Sequence, residues 1–172
     1  MENRWVTSLG GPLILIPQSA CQLWNGAPPN YPDEEGDYGR ACAVDDYIGL
    51  IDVGHAQALV LGDYPAPTTF LPAHGILLRK IAGNDDDEVL EAALKLLPTI
   101  NWGSQLSWAI TEPLILFDSV YDYPYVVTGN QEQLRIDLTP GRYTAEAAYL
   151  EIPDTAYFIL IRLTSIYRSP AR

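Results

Sequence analysis

Basic residues are scarce in this chain. Ten Lys and Arg stand against 22 Asp and Glu in 172 residues, a formal net charge of −12. Binding nucleic acid needs clustered Lys and Arg to neutralise phosphates, so no nucleic-acid ligand is expected. Cysteine is scarce as well. Cys21 and Cys42 are too few for a disulfide framework. Each sits in an apolar context (SACQLW, RACAV), where a free thiol behaves as a small buried hydrophobe, although a single bridge between them stays open. No apolar run reaches the roughly 18 residues of a membrane-spanning helix, so no membrane partner is expected. Leu13 to Ile16 ahead of Ser19-Ala20-Cys21 has the outline of an export signal. Glu2 spoils its basic n-region, and Gly10-Gly11-Pro12 and Pro17 interrupt the run. The cytoplasm is the expected compartment.

Catalytic signatures are thin. There is no Gly-x-Ser-x-Gly elbow, no phosphate-binding glycine loop and no HExxH. His55 and His74 lie in turn-like contexts (DVGHAQ, LPAHGI) and read as structural or solvated. An enzyme built on this chain would pair one of them with Cys42 or with Asp118, which ends the apolar run LILFD. Asp85-Asp86-Asp87-Glu88 lacks the alternating ligands and central glycine of a calcium loop and is explained by helix capping. No cofactor and no metal are expected.

Apolar residues are plentiful, at 48% of the chain, and fit a single globular domain over residues 1–172, with residues 165–172 a short basic tail. Leu134, Ile136 and Leu138 alternate with Arg135, Asp137 and Thr139, the period of a half-buried strand. Pro140-Gly141 reads as a turn into Tyr143, Ala145, Ala147 and Tyr149 on one strand face. Pro153-Asp154 turns the chain into Tyr157 to Ile161, apolar on both faces and therefore expected at the centre of a sheet. Further strands are expected at 5–8 and 13–16 (a hairpin on Gly10-Gly11-Pro12), and at 20–24, 38–44, 47–53 and 56–61. Others follow at 68–71, 75–82, 106–110 and 114–120, with loops at 25–36 and 121–130. One amphipathic helix stands out at about residues 85–97, capped by Asn84, with Val89, Leu90, Ala93, Leu94 and Leu97 on a stripe and Pro98 as its stop. The expected class is α+β and β-rich: mostly antiparallel twisted sheet with that helix packed on it.

Acid and tyrosine are interleaved between Asp33 and Asp63. Asp33, Glu34, Glu35, Asp37, Asp45, Asp46, Asp52 and Asp63 face Arg40 as the single base, with Tyr31, Tyr38, Tyr47 and Tyr64 among them. Asp118 and Asp122 with Tyr121, Tyr123 and Tyr125 form a second group. Tyrosine gives large contact area with a polar tip and little ordering entropy, which suits protein interfaces. An ordinary solvated face explains the same residues equally simply.

An ordered set of segments resembles the immunity protein 21 family of bacterial polymorphic toxin systems. They are WVTSLGGPLILIP (Trp5 to Pro17), Trp24, DYGRAC (Asp37 to Cys42), LVLGDYPAPTTFLP (Leu59 to Pro72), ILLRKIA, LILFDS (Leu114 to Ser119) and IDLTPGRY (Ile136 to Tyr143), with IRL closing the set. The family's aromatic and basic positions are matched by Phe70 and Arg79. The resemblance implies a non-enzymatic protein that binds and neutralises a cognate toxin by occlusion. Many such toxins are nucleases, and an acidic inhibitor suits their basic clefts. The expected partner-binding residues are Asp33, Glu34, Glu35, Asp37, Tyr38, Asp45 and Asp46, with Asp122 and Tyr123 as a second patch. Trp5, Gly10, Gly11, Pro12, Gly141 and Tyr143 are assigned to the fold. The competing readings are a β-rich small-ligand or scaffold module, and a cysteine or carboxylate enzyme.

Overall fold

The computed structural model describes residues 3–29, 36–62 and 64–166. Strand accounts for 43% of the described residues and helix for 21%, so sheets set the architecture. One five-stranded antiparallel sheet has the order β2 (Ile48–Val53), β3 (Ala56–Leu61), β1 (Leu13–Pro17), β7 (Leu114–Asp118), β8 (Gln133–Ile136). The other runs β4 (Thr68–Leu71), β5 (Ile76–Ala82), β10 (Ala156–Ser165), β9 (Gly141–Ile152), β6 (Gly103–Ile110). The doubly apolar strand β10 is the middle one, as its sequence demands, because each of its faces meets a core.

Alternation on these strands fills three cores. Leu13, Leu15, Leu59, Leu61 and Leu116 of the first sheet meet Leu77, Ala145, Ala147, Ile159 and Ile161 of the second in the layer between the sheets. Trp108 is buried there and its indole N–H donates to the Gln57 carbonyl, tying β6 to β3 across the layer. The second sheet's outer face carries α2 (Asp86–Leu96), whose Val89 and Ala93 pack on Leu78, Phe158 and Leu160. The first sheet's outer face is closed by short pieces: a 3-10 turn (Gln18–Leu23), α1 (Gly36–Cys42) and α3 (Tyr123–Thr128).

Several expected elements differ from this. Residues 20–23 and 38–42 are helical rather than extended, and Trp24, Ala43 and Val44 belong to no strand. Tyr38 and Ala41 are buried three positions apart, with Val44 partly buried three further on, which is a helical rather than an alternating period. Residues 121–130 contain α3, started by the Asp122 carboxylate accepting the Tyr125 N–H and by Pro124 in the first turn. The cap of α2 is Asp85 rather than Asn84; its carboxylate accepts from the Asp87 and Glu88 N–H groups.

Gly10-Gly11-Pro12 closes no hairpin. Val6 bridges Thr68 at the edge of the second sheet, so this turn carries the chain from one sheet into the other. A side chain at Gly11 would stand 2.2 Å from the Tyr38 hydroxyl, which is why that position is glycine. Pro140-Gly141 likewise joins sheets, since β8 pairs with β7 whereas β9 pairs with β10 and β6. The Pro153-Asp154 hairpin forms as expected, with Asp154 at φ 60°. Strand β10 extends through Ser165, and residues 167–172 of the expected tail lie outside the described residues.

Candidate functional site

Pairing register defines one end of the sandwich. Leu61 of β3 stands opposite both Leu13 and Ile48, and Leu13 stands opposite Asp118. The segments before Ile48, after Leu61, before Leu13 and after Asp118 therefore all emerge together. In the second sheet, the inward positions Tyr143, Ala145 and Ala147 of β9 continue on the same face to Tyr149 and Glu151. Tyr157 of β10 lies opposite Glu151, and Tyr149 lies opposite Ile159. Here the inter-sheet core gives way to aromatic rings reaching water. Tyr149 stacks on Tyr47 (ring centroids 6.3 Å apart, planes 10° from parallel) and on Tyr64 (6.3 Å, 24°). Tyr149 and Tyr64 remain 38% and 42% exposed, while Tyr47 is half-buried against the inner core.

Arg79 fixes one side of this platform. It is fully buried on β5, and its guanidinium donates to the Gly62 carbonyl at 2.7 Å and to that of Tyr64. A planar fork of donors holds the crossover between the sheets and places Tyr64 at the stack. Arg79, matched to the family on sequence, thus serves the shape of the platform. Phe70 packs partly buried on the inner core.

The setting is acidic. Asp45 and Asp46 precede Tyr47 and are exposed, with the Asp46 carboxylate accepting the Tyr47 N–H at 2.6 Å; Glu151 is exposed on β9. Among the described residues, ion pairs tie Arg40, Lys80, Lys95, Arg135 and Arg162 to Asp37, Asp86, Glu91, Asp137 and Glu146. The Tyr149 phenol is pushed above its ordinary pKa, by desolvation first and then by the Glu151 carboxylate and the neighbouring phenols of Tyr64, Tyr157 and Tyr47. Beside the stack lies an open groove of about 400 Å³, floored by Gly10, Gly11 and Pro12 and walled by Tyr38, Val44 and Tyr64.

The expected contact residues divide. Asp33, Glu34 and Glu35 lie outside the described residues, as do Tyr31 and Asp63. Asp45 and Asp46 stand at the platform. Asp37 is committed within the fold: it pairs with Arg40 at 2.7 Å and accepts the Asn25 N–H at 2.8 Å, anchoring α1. Tyr38 is buried over Gly11. Asp122 emerges at the same end of the first sheet and caps α3, while Tyr123 packs on Phe117 at 5.5 Å. Tyr149, Tyr157 and Glu151 were missed. Their alternation marks a buried face, and only the three-dimensional register shows that this face outlasts its cover.

The reactive groups are placed as follows. Cys21 is buried and Cys42 exposed, both as free thiols, so the open bridge is not formed and Cys42 is no buried hydrophobe. Burial pushes the Cys21 thiol up to about 12, with Glu112 adding to the rise, which makes it inert at neutral pH. Asp118 is buried and accepts from Leu9 N–H at 2.7 Å and Val120 N–H at 3.1 Å; desolvation outweighs these bonds and raises its pKa. His55 Nε2 stands 3.1 Å from Ser19 Oγ, and the same hydroxyl bonds the Glu112 carboxylate. That order puts the serine between acid and imidazole, whereas an activated nucleophile needs the imidazole in the middle. Among the described residues no three His, Cys, Asp or Glu side chains gather as metal ligands.

Residues 4–156 match a family model described as immunity protein 21. No curated protein and no solved structure matches the chain at a significant level. Among the described residues no helix is long and apolar enough to cross a membrane.

Proposed function

We propose, from the premise that this chain belongs to the immunity protein 21 family, that it binds a cognate toxin in the cytoplasm and neutralises it by occlusion, without chemistry of its own. The family match over residues 4–156 carries this reading. Charge adds the partner's character. A net charge of −12 speeds encounter with a basic protein and repels an acidic one. A toxin that cuts nucleic acid must present a basic cleft to phosphates, so a nuclease domain fits this inhibitor well. The contact surface in this reading is the end of the sandwich that carries Asp45 and Asp46 and is flanked by Asp122, with Asp33, Glu34 and Glu35 kept as contact residues on their sequence alone.

Co-expression with the toxin domain encoded beside this chain's gene tests the reading. Cells making both proteins should survive where cells making the toxin alone die, and the pair should co-elute from a sizing column. Association should slow as salt is raised, and Asp45→Lys with Asp46→Lys should slow it by roughly tenfold at low ionic strength. No protection together with no co-elution would end the proposal.

A further inference from the structure

We propose that the stacked rings of Tyr47, Tyr64 and Tyr149 are an arginine-reading platform, which takes guanidinium groups of the toxin flat against phenol faces while Glu151, Asp45 and Asp46 accept their N–H edges. The occupant rests on the immunity reading; the guanidinium chemistry does not.

Four observations carry this. The first is geometry: Tyr149 lies 10° from parallel with Tyr47 and 24° from parallel with Tyr64, each at 6.3 Å between ring centroids, and Tyr149 and Tyr64 are both exposed. A planar cation can lie on such a surface, and aromatic faces attract cations through the ring quadrupole. The second is support. Tyr47 is seated on the inner core, Tyr149 is fixed opposite Ile159 on β9, and the Arg79 guanidinium holds the Tyr64 carbonyl. Rings already in place lose little entropy on binding.

The third is the chemistry of the rim. Glu151 shares the strand face of Tyr149, and the Asp46 carboxylate is held against the Tyr47 N–H. A guanidinium lying on the rings has in-plane donors that carboxylates at the edge can accept, whereas a lysine ammonium offers a point charge without a plane. The fourth is the contrast with the rest of the surface. Tyr121 and Tyr125 also touch, at 5.2 Å, but tilt by 36° and belong to the α3 side of the first sheet. Exposed ring area alone is thus not the signal; parallel rings on a fixed base with acids at the edge are.

Two probes separate the chemistry from the occupant. A nona-arginine peptide is titrated against the full chain while the tyrosine ring resonances are followed, with nona-lysine at the same salt as comparison. The expected result is arginine-dependent shifts at Tyr47, Tyr64 and Tyr149, at least several-fold larger than with lysine. Equal responses to both peptides, or shifts centred on Tyr121 and Tyr125, would overturn the proposal. Next, affinity for the neighbouring gene's toxin domain is measured for four variants. Y149A and Y64A should each weaken binding by roughly tenfold or more, Y149F should bind like the parent because it keeps the ring, and Y125A should do nothing. If all four bind the toxin equally well, the platform is not the contact and only the immunity reading stands. If the parent chain ignores that toxin while nona-arginine still shifts the three rings, the immunity reading falls and the arginine site stands.

Discussion

Tyr121, Tyr123 and Tyr125 are neighbours in the chain, whereas Tyr47, Tyr64 and Tyr149 come from three distant segments; each trio lies beside carboxylates. The local trio is dense in sequence, and although Tyr125 is exposed, the Tyr121 and Tyr125 rings are tilted rather than parallel, and Tyr121 and Tyr123 are partly buried. Tyr123 packs on buried Phe117, Tyr121 leans on Tyr125, and Asp122 is used as a helix cap. The dispersed trio is invisible as a cluster until strand register assembles it at the open end of the sandwich. Composition along the chain therefore reports where aromatic residues are dense, and sheet register decides which distant ones meet as near-parallel rings.

The sharpest way to break this contrast is to remove the floor of each trio. Phe117 is fully buried beneath Tyr123, so Phe117→Ala should cost about 3–5 kcal/mol in denaturant unfolding. The Tyr47–Tyr149 and Tyr64–Tyr149 ring contacts should survive in the folded fraction, as read by nuclear Overhauser effects between the rings. Arg79→Ala removes the two charged hydrogen bonds that hold Gly62 and Tyr64 and should cost about 2–4 kcal/mol. There the pattern reverses: the Tyr64–Tyr149 contact should be lost while Tyr121–Tyr125 stays. If Arg79→Ala left the platform contacts intact, the guanidinium would not be what positions Tyr64.

The parts of the fold that could be read from sequence share a property: their periodicity is local. Helix α2 shows its own apolar stripe and its acidic first turn, and β10 shows an apolar run that demands cover on both sides. The three short covers of the first sheet do not. Ala20, Cys21 and Trp24, then Tyr38 and Ala41, then Val126 each supply one to three buried residues, too few to establish a period against the turn residues around them. Tertiary packing, not propensity, makes them helical. The same holds for the site. Asp45 and Asp46 were legible as exposed acid, but Asp37 reads identically and is spent on Arg40 and Asn25. Tyr149 looks like the fourth member of a buried face, and nothing along the chain says that the opposite sheet stops first. Pro140-Gly141 looks like a hairpin turn because a sheet change uses the same residues as a hairpin.

A smaller effect separates cap from contact. Asp122→Ala deprives the Tyr125 N–H of its acceptor and should destabilise the chain by about 1 kcal/mol, with α3 amides exchanging faster. Toxin association should change less than for Asp45→Ala, measured by stopped flow at low salt. Equal slowing by the two variants would make the Asp122 side a second contact surface and erase the functional half of the contrast.

The finest comparison uses the phenols as reporters of their own surroundings. Tyr149 is raised by desolvation and then by Glu151, whereas Tyr121 is raised by desolvation and then by Asp118. Glu151→Gln should therefore bring the Tyr149 titration down toward the ordinary phenol range and leave Tyr121 in place; Asp118→Asn should do the opposite. Ring chemical shifts followed between about pH 9 and 12 give both readings in one experiment. The sign of the stability effect follows by linkage. A phenol held above its unfolded pKa of 10.0 retains its proton longer in the folded chain, so its contribution is whole below pH 10 and is lost as pH rises through the folded value. Glu151→Gln narrows that window for Tyr149 and should make the alkaline loss of stability smaller than in the parent. A change at Tyr121 instead would mean that Glu151 acts through the general charge of the molecule rather than at the edge of the platform.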